Sequence, residues 1–192
     1  MEKEIYFAKL ESYQKPSIGL KSYLTYILQE KSFKRKQALK LADVFFNTTV
    51  FIVLGTVRLF FFDEEKEITV QFYPKNTFLP HMNLLCGYFK QDLILEFLED
   101  SILLGFPEKH IPNLFKLFPE YWKMEARISQ DIFCRLMEHS ISLAHLDSRG
   151  RLEILMAVWP ELFIVCELKH IANFLGIHPK VLSQLRSKAL KR

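Results

Sequence analysis

The residues best equipped to do chemistry cluster at the C-terminal end, in the stretch LKHIANFLGIHPKVLSQLRSKALKR (168–192). His178, Lys180, Ser183, Gln184, Ser187 and Lys188 fall on the helix side left free when Leu182 and Leu185 pack inward. Lysine neutralises phosphate, while glutamine and serine offer donors and acceptors to base edges. No acid follows Glu167. A polar, basic, acid-free helix has the chemistry needed to enter a DNA major groove.

Such a helix needs a support that presents it. Ile171 and Leu175 are four apart and share one face of a preceding helix. Ala172 is small where two helices must cross. Gly176 can adopt the left-handed backbone that ends a helix. Pro179 suits the first turn of the next helix, where its missing N–H costs nothing. This is helix-turn-helix spacing. The plain alternative is an ordinary helix pair whose basic end suits the helix dipole.

The charge distribution favours the first reading. From Arg149 onward eight basic residues stand against three acids, five net positive charges in all, and the chain's total is +4. The positive field therefore lies with the helix-turn-helix, and the remainder is close to neutral. No nucleophile elbow, H-E-x-x-H, P-loop or dinucleotide fingerprint occurs, so no enzyme is expected. His139 and His145 lie near Asp147 but are six apart and do not share a helix face. Glu96, Glu99 and Asp100 read as solvent-facing. Cys86, Cys134 and Cys166 are far apart and odd in number, which argues against zinc, an iron–sulfur cluster or a disulfide scaffold. No metal or cofactor is expected.

The segment VFFNTTVFIVLGTVRLFFF (44–62) is long enough to span a bilayer. Its Asn, Thr and Arg58 make that costly, and it reads as two strands turning at Leu54-Gly55. With no apolar signal core at the N-terminus, no membrane association is expected and the cytoplasm is the default location.

Along the chain, IGLKSYLTYILQE (18–30) is an amphipathic helix. From about Lys36 to Phe106 the texture is β, with FFFDEEKEITVQF as a hairpin. A short helix covers 107–119. A long one runs from Pro119 to about Leu146, with Met124, Ile128, Ile132 and Leu136 in one apolar row. Phe133, Met137 and Ile141 form a second. Two rows on one helix predict two partners, its own sheet and a second copy of the chain; the first row is assigned to dimerisation. Asp147 to Gly150 breaks the pattern and is the expected hinge. RLEILMAVWPEL is a supporting helix, and FIVCE a connector.

This order of parts resembles the Crp/Fnr family of bacterial transcription regulators, over about Ile18 to Arg192. The segments that carry the resemblance are FIVLGTVRLFFFDEEKEITVQFYPKNTF, LEFLEDSILLGFP, RLEILMAVWPEL and LKHIANFLGIHPKVLSQLR. The short form is similar to the Bacteroidetes branch. The resemblance implies an α+β fold. Its parts are an N-terminal antiparallel β-roll of cyclic-nucleotide-binding type with an N-terminal helix (1–118), a long dimerisation helix (119–146) and a helix-turn-helix unit (147–192). It also implies a homodimer on a palindromic operator in double-stranded DNA, with RNA polymerase as a candidate partner. Pro179, Lys180 and Gln184 fall at its base-reading positions, and Ser183, Arg186 and Lys188 near phosphates. Gln184 departs from the arginine common in that branch, and glutamine pairs well with adenine.

A second departure concerns the effector. Cyclic-AMP-binding members carry Gly-Glu and a later Arg-Ser or Arg-Thr; here the stretch is PKNTFLPHMNLLCGYFKQDLI. It lacks both, so cyclic AMP is not expected, and any effector is a different small molecule. Lys75 and Lys90 read as surface residues, and His81 is a poor haem ligand signal. The competing reading is a degenerate member acting as a protein-interaction module without specific DNA reading.

Overall fold

In the computed structural model of the chain, residues 1–40, 48–80 and 92–189 are described. His81, Cys86 and Lys90 lie outside them, as do most of the cassette-like stretch, residues 44–47 and the last three residues.

Two helices open the fold, α1 (Glu2–Tyr13) and α2 (Ile18–Ile27). The α1 helix was not anticipated, although Tyr6, Phe7 and Leu10 bury one face of it. Ser17 caps α2, accepting the Leu20 N–H at 3.2 Å. The helix ends at Ile27, three residues short of the expected Glu30, because Gln29 already pairs in a strand.

Eight strands follow: β1 (Gln29–Phe33), β2 (Ala38–Lys40), β3 (Val50–Leu54), β4 (Val57–Asp63), β5 (Lys66–Tyr73), β6 (Thr77–Leu79), β7 (Ile94–Phe97) and β8 (Ser101–Gly105). They form two four-stranded antiparallel sheets, ordered β1-β8-β3-β6 and β2-β7-β4-β5. The β4–β5 hairpin forms as expected, Asp63 pairing with Lys66 across Glu64-Glu65. The turn at Gly55 does not make a hairpin. It carries the chain from one sheet to the other, with Gly55 at φ +90°. A Cβ there would run into the Ser101 hydroxyl.

Strand periodicity sorts the side chains into separate clusters. Val50, Ile52, Leu79 and Leu103 of one sheet meet Val57, Leu59, Leu95 and Phe97 of the other, and fill the sandwich. Phe51, Val53, Phe78 and Leu104, on the opposite face of the first sheet, pack under the helices. Strand β3 is apolar at consecutive positions because both of its faces are covered.

After a 3-10 turn at Glu108–His110 come α3 (Ile111–Leu117) and the long α4 (Pro119–His145), with Pro119 at its start as expected. The structure corrects the assignment of its apolar rows. Met124 and Ile128 are 0% and 2% exposed, packed with Tyr6, Phe51 and Leu114. Ile132 is half-buried on the same cluster, and Leu136 is 37% exposed. The first row belongs to the chain's own core. Phe133, Met137 and Ile141 are the solvent-facing row.

The C-terminal helices are α5 (Ser148–Val158), α6 (Leu162–Val165), α7 (Leu168–Phe174) and α8 (Pro179–Ala189). The expected hinge is shorter than four residues. Asp147 caps α5 by accepting the Gly150 N–H at 2.7 Å, so Ser148 to Gly150 already belong to that helix. FIVCE is largely the single turn α6. Among the described residues, no helix is long and apolar enough to cross a membrane.

Candidate nucleic-acid interface

The turn between α7 and α8 is held by the backbone. Gly176, at φ +63°, donates its N–H to Asn173 O at 3.0 Å, and Ile177 donates to Ala172 O at 2.9 Å. This paired pattern, closed by a left-handed glycine, is a Schellman helix ending. Behind it Ile171, Ala172 and Leu182 are fully buried and Leu175 nearly so, together with Leu152 and Leu162 of the supporting helices. The apolar spacing of the sequence thus sets the crossing of α7 and α8.

The outward face of α8 presents Lys180, Ser183, Gln184, Ser187 and Lys188, all exposed. Two residues assigned to this face do something else. His178 caps the helix: its Nδ1 accepts the Lys180 N–H at 3.2 Å, which leaves only Nε2 to face outward. Arg186 is half-buried, its guanidinium 5.4 Å from the centre of the Phe163 ring on α6. Pro179 is exposed on its own account but borders a groove of about 370 Å³, across from Glu65 and Glu67 of the β4–β5 hairpin. The leading end of α8 therefore borders the tip of the β4–β5 hairpin, where Lys66 and Lys169 line the same groove beside the two glutamates.

Docking of the helices on the roll combines an apolar contact, Phe72 and Leu98 against the C-terminal helices, with one buried cation that sequence reasoning missed. Arg58 of β4 is 1% exposed. It donates to Glu96 at 2.6 Å, to Glu67 at 2.5 Å, and through Nη1 to His170 Nδ1 of α7 at 2.6 Å and Thr69 at 3.3 Å. Glu96 is therefore an ion-pair partner, not a free surface residue, and Asp100 pairs with Lys34 at 2.7 Å. Beside this network the Thr69 N–H donates to Asn173 Oδ1 at 2.6 Å. A lone arginine in an apolar strand was the available signal, since a charge there must find partners.

Arginine has only donors, so His170 must accept at Nδ1 and carry its proton on Nε2. Burial, and then the Arg58 guanidinium, hold the imidazole below its ordinary value of 6.5, with Glu67 opposing. The neutral form favours docking. Its contribution is fully present above the unfolded value and is lost as pH falls through the lower folded one. Acidification from pH 7 to 5 is expected to lower the urea midpoint. His170→Gln, whose amide oxygen can still accept but does not titrate, should flatten that dependence. An unchanged slope in this variant would remove His170 from the pH response.

No protein-family model matches this chain, and no curated protein matches it in sequence. Solved structures do match. FixK2 from Bradyrhizobium japonicum superposes with a TM-score of 0.67 at 12% identity, over 86% of this chain and 85% of that one. A Crp/Fnr transcriptional regulator from Thermus thermophilus gives 0.61 at 16%, over 85% and 86%. The chain has the Crp/Fnr fold. A cyclic nucleotide-binding domain containing protein from Listeria monocytogenes gives 0.67 at 14%, over 95% and 91%. These superpositions cover 85–95% of this chain. Among the described residues, no group of three His, Cys, Asp or Glu could hold a metal.

Proposed function

We propose that the chain is a dimeric DNA-binding transcription regulator acting in the cytoplasm. In this reading residues 1–118 form a sensor roll, 119–146 the dimerisation helix and 147–192 the DNA-binding unit. The observation that carries it is the exposed face of α8, where Lys180, Ser183, Gln184, Ser187 and Lys188 stand together with no acid beside them on a helix fixed by the Gly176 turn. Gln184 and Lys180 read base edges in a palindromic operator, with Pro179 at the leading end. Ser183 and Lys188 touch phosphate. RNA polymerase is the partner such a regulator would address.

The same geometry supplies a mechanism. With Pro179 sharing a groove with Glu65, Lys66 and Glu67, the hairpin tip, with Asp63 and Glu64 beside these residues, would stand against DNA at the reading end. Reading therefore requires the C-terminal helices to leave the roll, turning at Leu146-Asp147 between α4 and α5. The Arg58–His170 and Thr69–Asn173 contacts, together with the apolar contact of Phe72 with Phe174, set the balance between the docked and free arrangements.

The experiment is selection of the purified protein against random duplex DNA at physiological salt. An enriched palindrome with half-sites about one helical turn apart supports the reading. Absence of enrichment would move the chain to an interaction module. On the selected operator, Gln184→Ala should cost about 1–3 kcal/mol at one base pair and relax preference there. Lys188→Ala should weaken binding to every sequence and reduce the salt slope by about one. Equal losses on operator and random DNA for Gln184→Ala would contradict its role as a reader.

A further inference from the structure

A cavity of about 870 Å³ lies between the β5–β6 edge of the roll, the C-terminal half of α4, and helices α5 and α7. It has the size of a small-ligand site. Its walls are mainly apolar and aromatic, with Tyr73, Leu136, Trp159 and Phe174 among them. His139 closes one side, its ring stacked on Phe174 at 3.9 Å and 2°.

The charged groups on these walls are mostly cationic. Lys75, Arg135 and Arg151 line the cavity against the single carboxylate of Glu138. Arg135 already pairs with Asp131 at 3.2 Å. Arg151 has no carboxylate partner among the described residues. Its Nη1 donates to the carbonyls of Leu146 at 2.7 Å and Leu143 at 3.5 Å, at the end of α4. Its Nε is buried and makes no hydrogen bond. A buried donor without an acceptor is costly and uncommon, and calls for an explanation. The Nε edge of a guanidinium is also one of those that grip a carboxylate with two parallel bonds.

We propose that this junction cavity binds a small amphipathic organic anion, its carboxylate held by the guanidinium of Arg151 and its apolar body between Trp159, Phe174 and Leu136. The apolar row that a second copy of α4 would bring, Phe133, Met137 and Ile141, has no carboxylate of its own for Arg151, and only Ile141 of that row borders the cavity. The walls come from the roll, α4 and the C-terminal helices together, so an occupant would favour one placement of these parts over others.

The test uses the full chain and octanoate, with octanamide as its uncharged isostere. The protein has two tryptophans, Trp122 and Trp159. Trp122→Phe, outside the cavity, leaves Trp159 as the single emitter. Octanoate should shift its emission saturably. Octanamide should bind about tenfold or more weakly, as expected for loss of a charge-assisted pair. Arg151→Gln should abolish that difference. Because Arg151 also holds the end of α4, a second variant, Ile154→Asp, sets a carboxylate on the cavity wall without changing Arg151 or adding an emitter, and should weaken octanoate more than octanamide. The proposal is overturned if octanoate gives no saturable shift below its solubility limit, if acid and amide bind equally, or if Ile154→Asp binds octanoate as the parent does. The readout is on the free protein, so its failure is distinct from a failure to select an operator.

Discussion

Replacing Arg58 with methionine should destabilise the folded chain by about 3 kcal/mol, the lower end of what breaking a buried ion pair costs. Methionine fills a similar volume but leaves Glu67, Glu96 and the His170 Nδ1 without their donor. The lower end applies because the Glu67 and Glu96 side chains keep 33% and 23% exposure and can recover some water. Lysine should not rescue, since a single ammonium cannot reproduce a fork reaching acceptors on β5, β7 and α7. Urea unfolding followed by tryptophan emission gives the stability change. Hydrogen exchange at the Thr69 amide, which is bonded to Asn173, reports whether the helices have loosened from the roll. The triple change Arg58→Met, Glu67→Gln, Glu96→Gln should recover much of the loss, because no buried charge then lacks a partner. A single Arg58→Met variant as stable as the parent would show that the network contributes nothing net.

A second large effect is expected from Met137→Asp combined with Ile141→Asp. These residues and Phe133 are 42%, 56% and 61% exposed on one side of α4, and in the proposed dimer they meet their copies. Two carboxylates placed in each half of an apolar seam should leave a monomer in sedimentation at micromolar concentration. Operator affinity should then fall by about 10²–10⁴, the gain that linking two half-site readers supplies. The fold of each chain should survive, since neither side chain belongs to a buried cluster. A dimer that persists with these aspartates would place the interface elsewhere.

The parts legible in the sequence were those governed by neighbours along the chain. Ile171, Ala172, Leu175, Gly176 and Pro179 define the helix-turn-helix within a dozen residues, and the DEEK turn announces the β4–β5 hairpin. The fold as a whole followed from the order of such parts. What stayed hidden depends on distant partners. The apolar rows of α4 were visible, but spacing alone does not say which row faces the sheet, and Met124 and Ile128 were placed on the wrong side. Gly55 was seen as a turn, but whether a turn closes a hairpin or crosses between sheets depends on β8, about fifty residues later. Arg58 is separated by 38 residues from Glu96 and by 112 from His170, so no local pattern could join them. In the candidate interface, the exposed basic face was legible. The contact of Arg186 with Phe163, 23 residues back, was not; the His178 cap is local, but histidine there reads equally well as an outward-facing residue.

The pairing of β1 with β8 has a consequence during synthesis. Gln29 lies opposite Gly105, and β8 sits between β1 and β3, so this sheet cannot close until residue 105 has left the ribosome. Strand β3, apolar on both faces, emerges about fifty residues earlier. At 5–20 residues per second it waits roughly 3–10 s without its central partner. The nascent chain is then most exposed to misassociation, and substitutions that make β3 more sticky should lower the yield of folded protein even where the finished structure tolerates them.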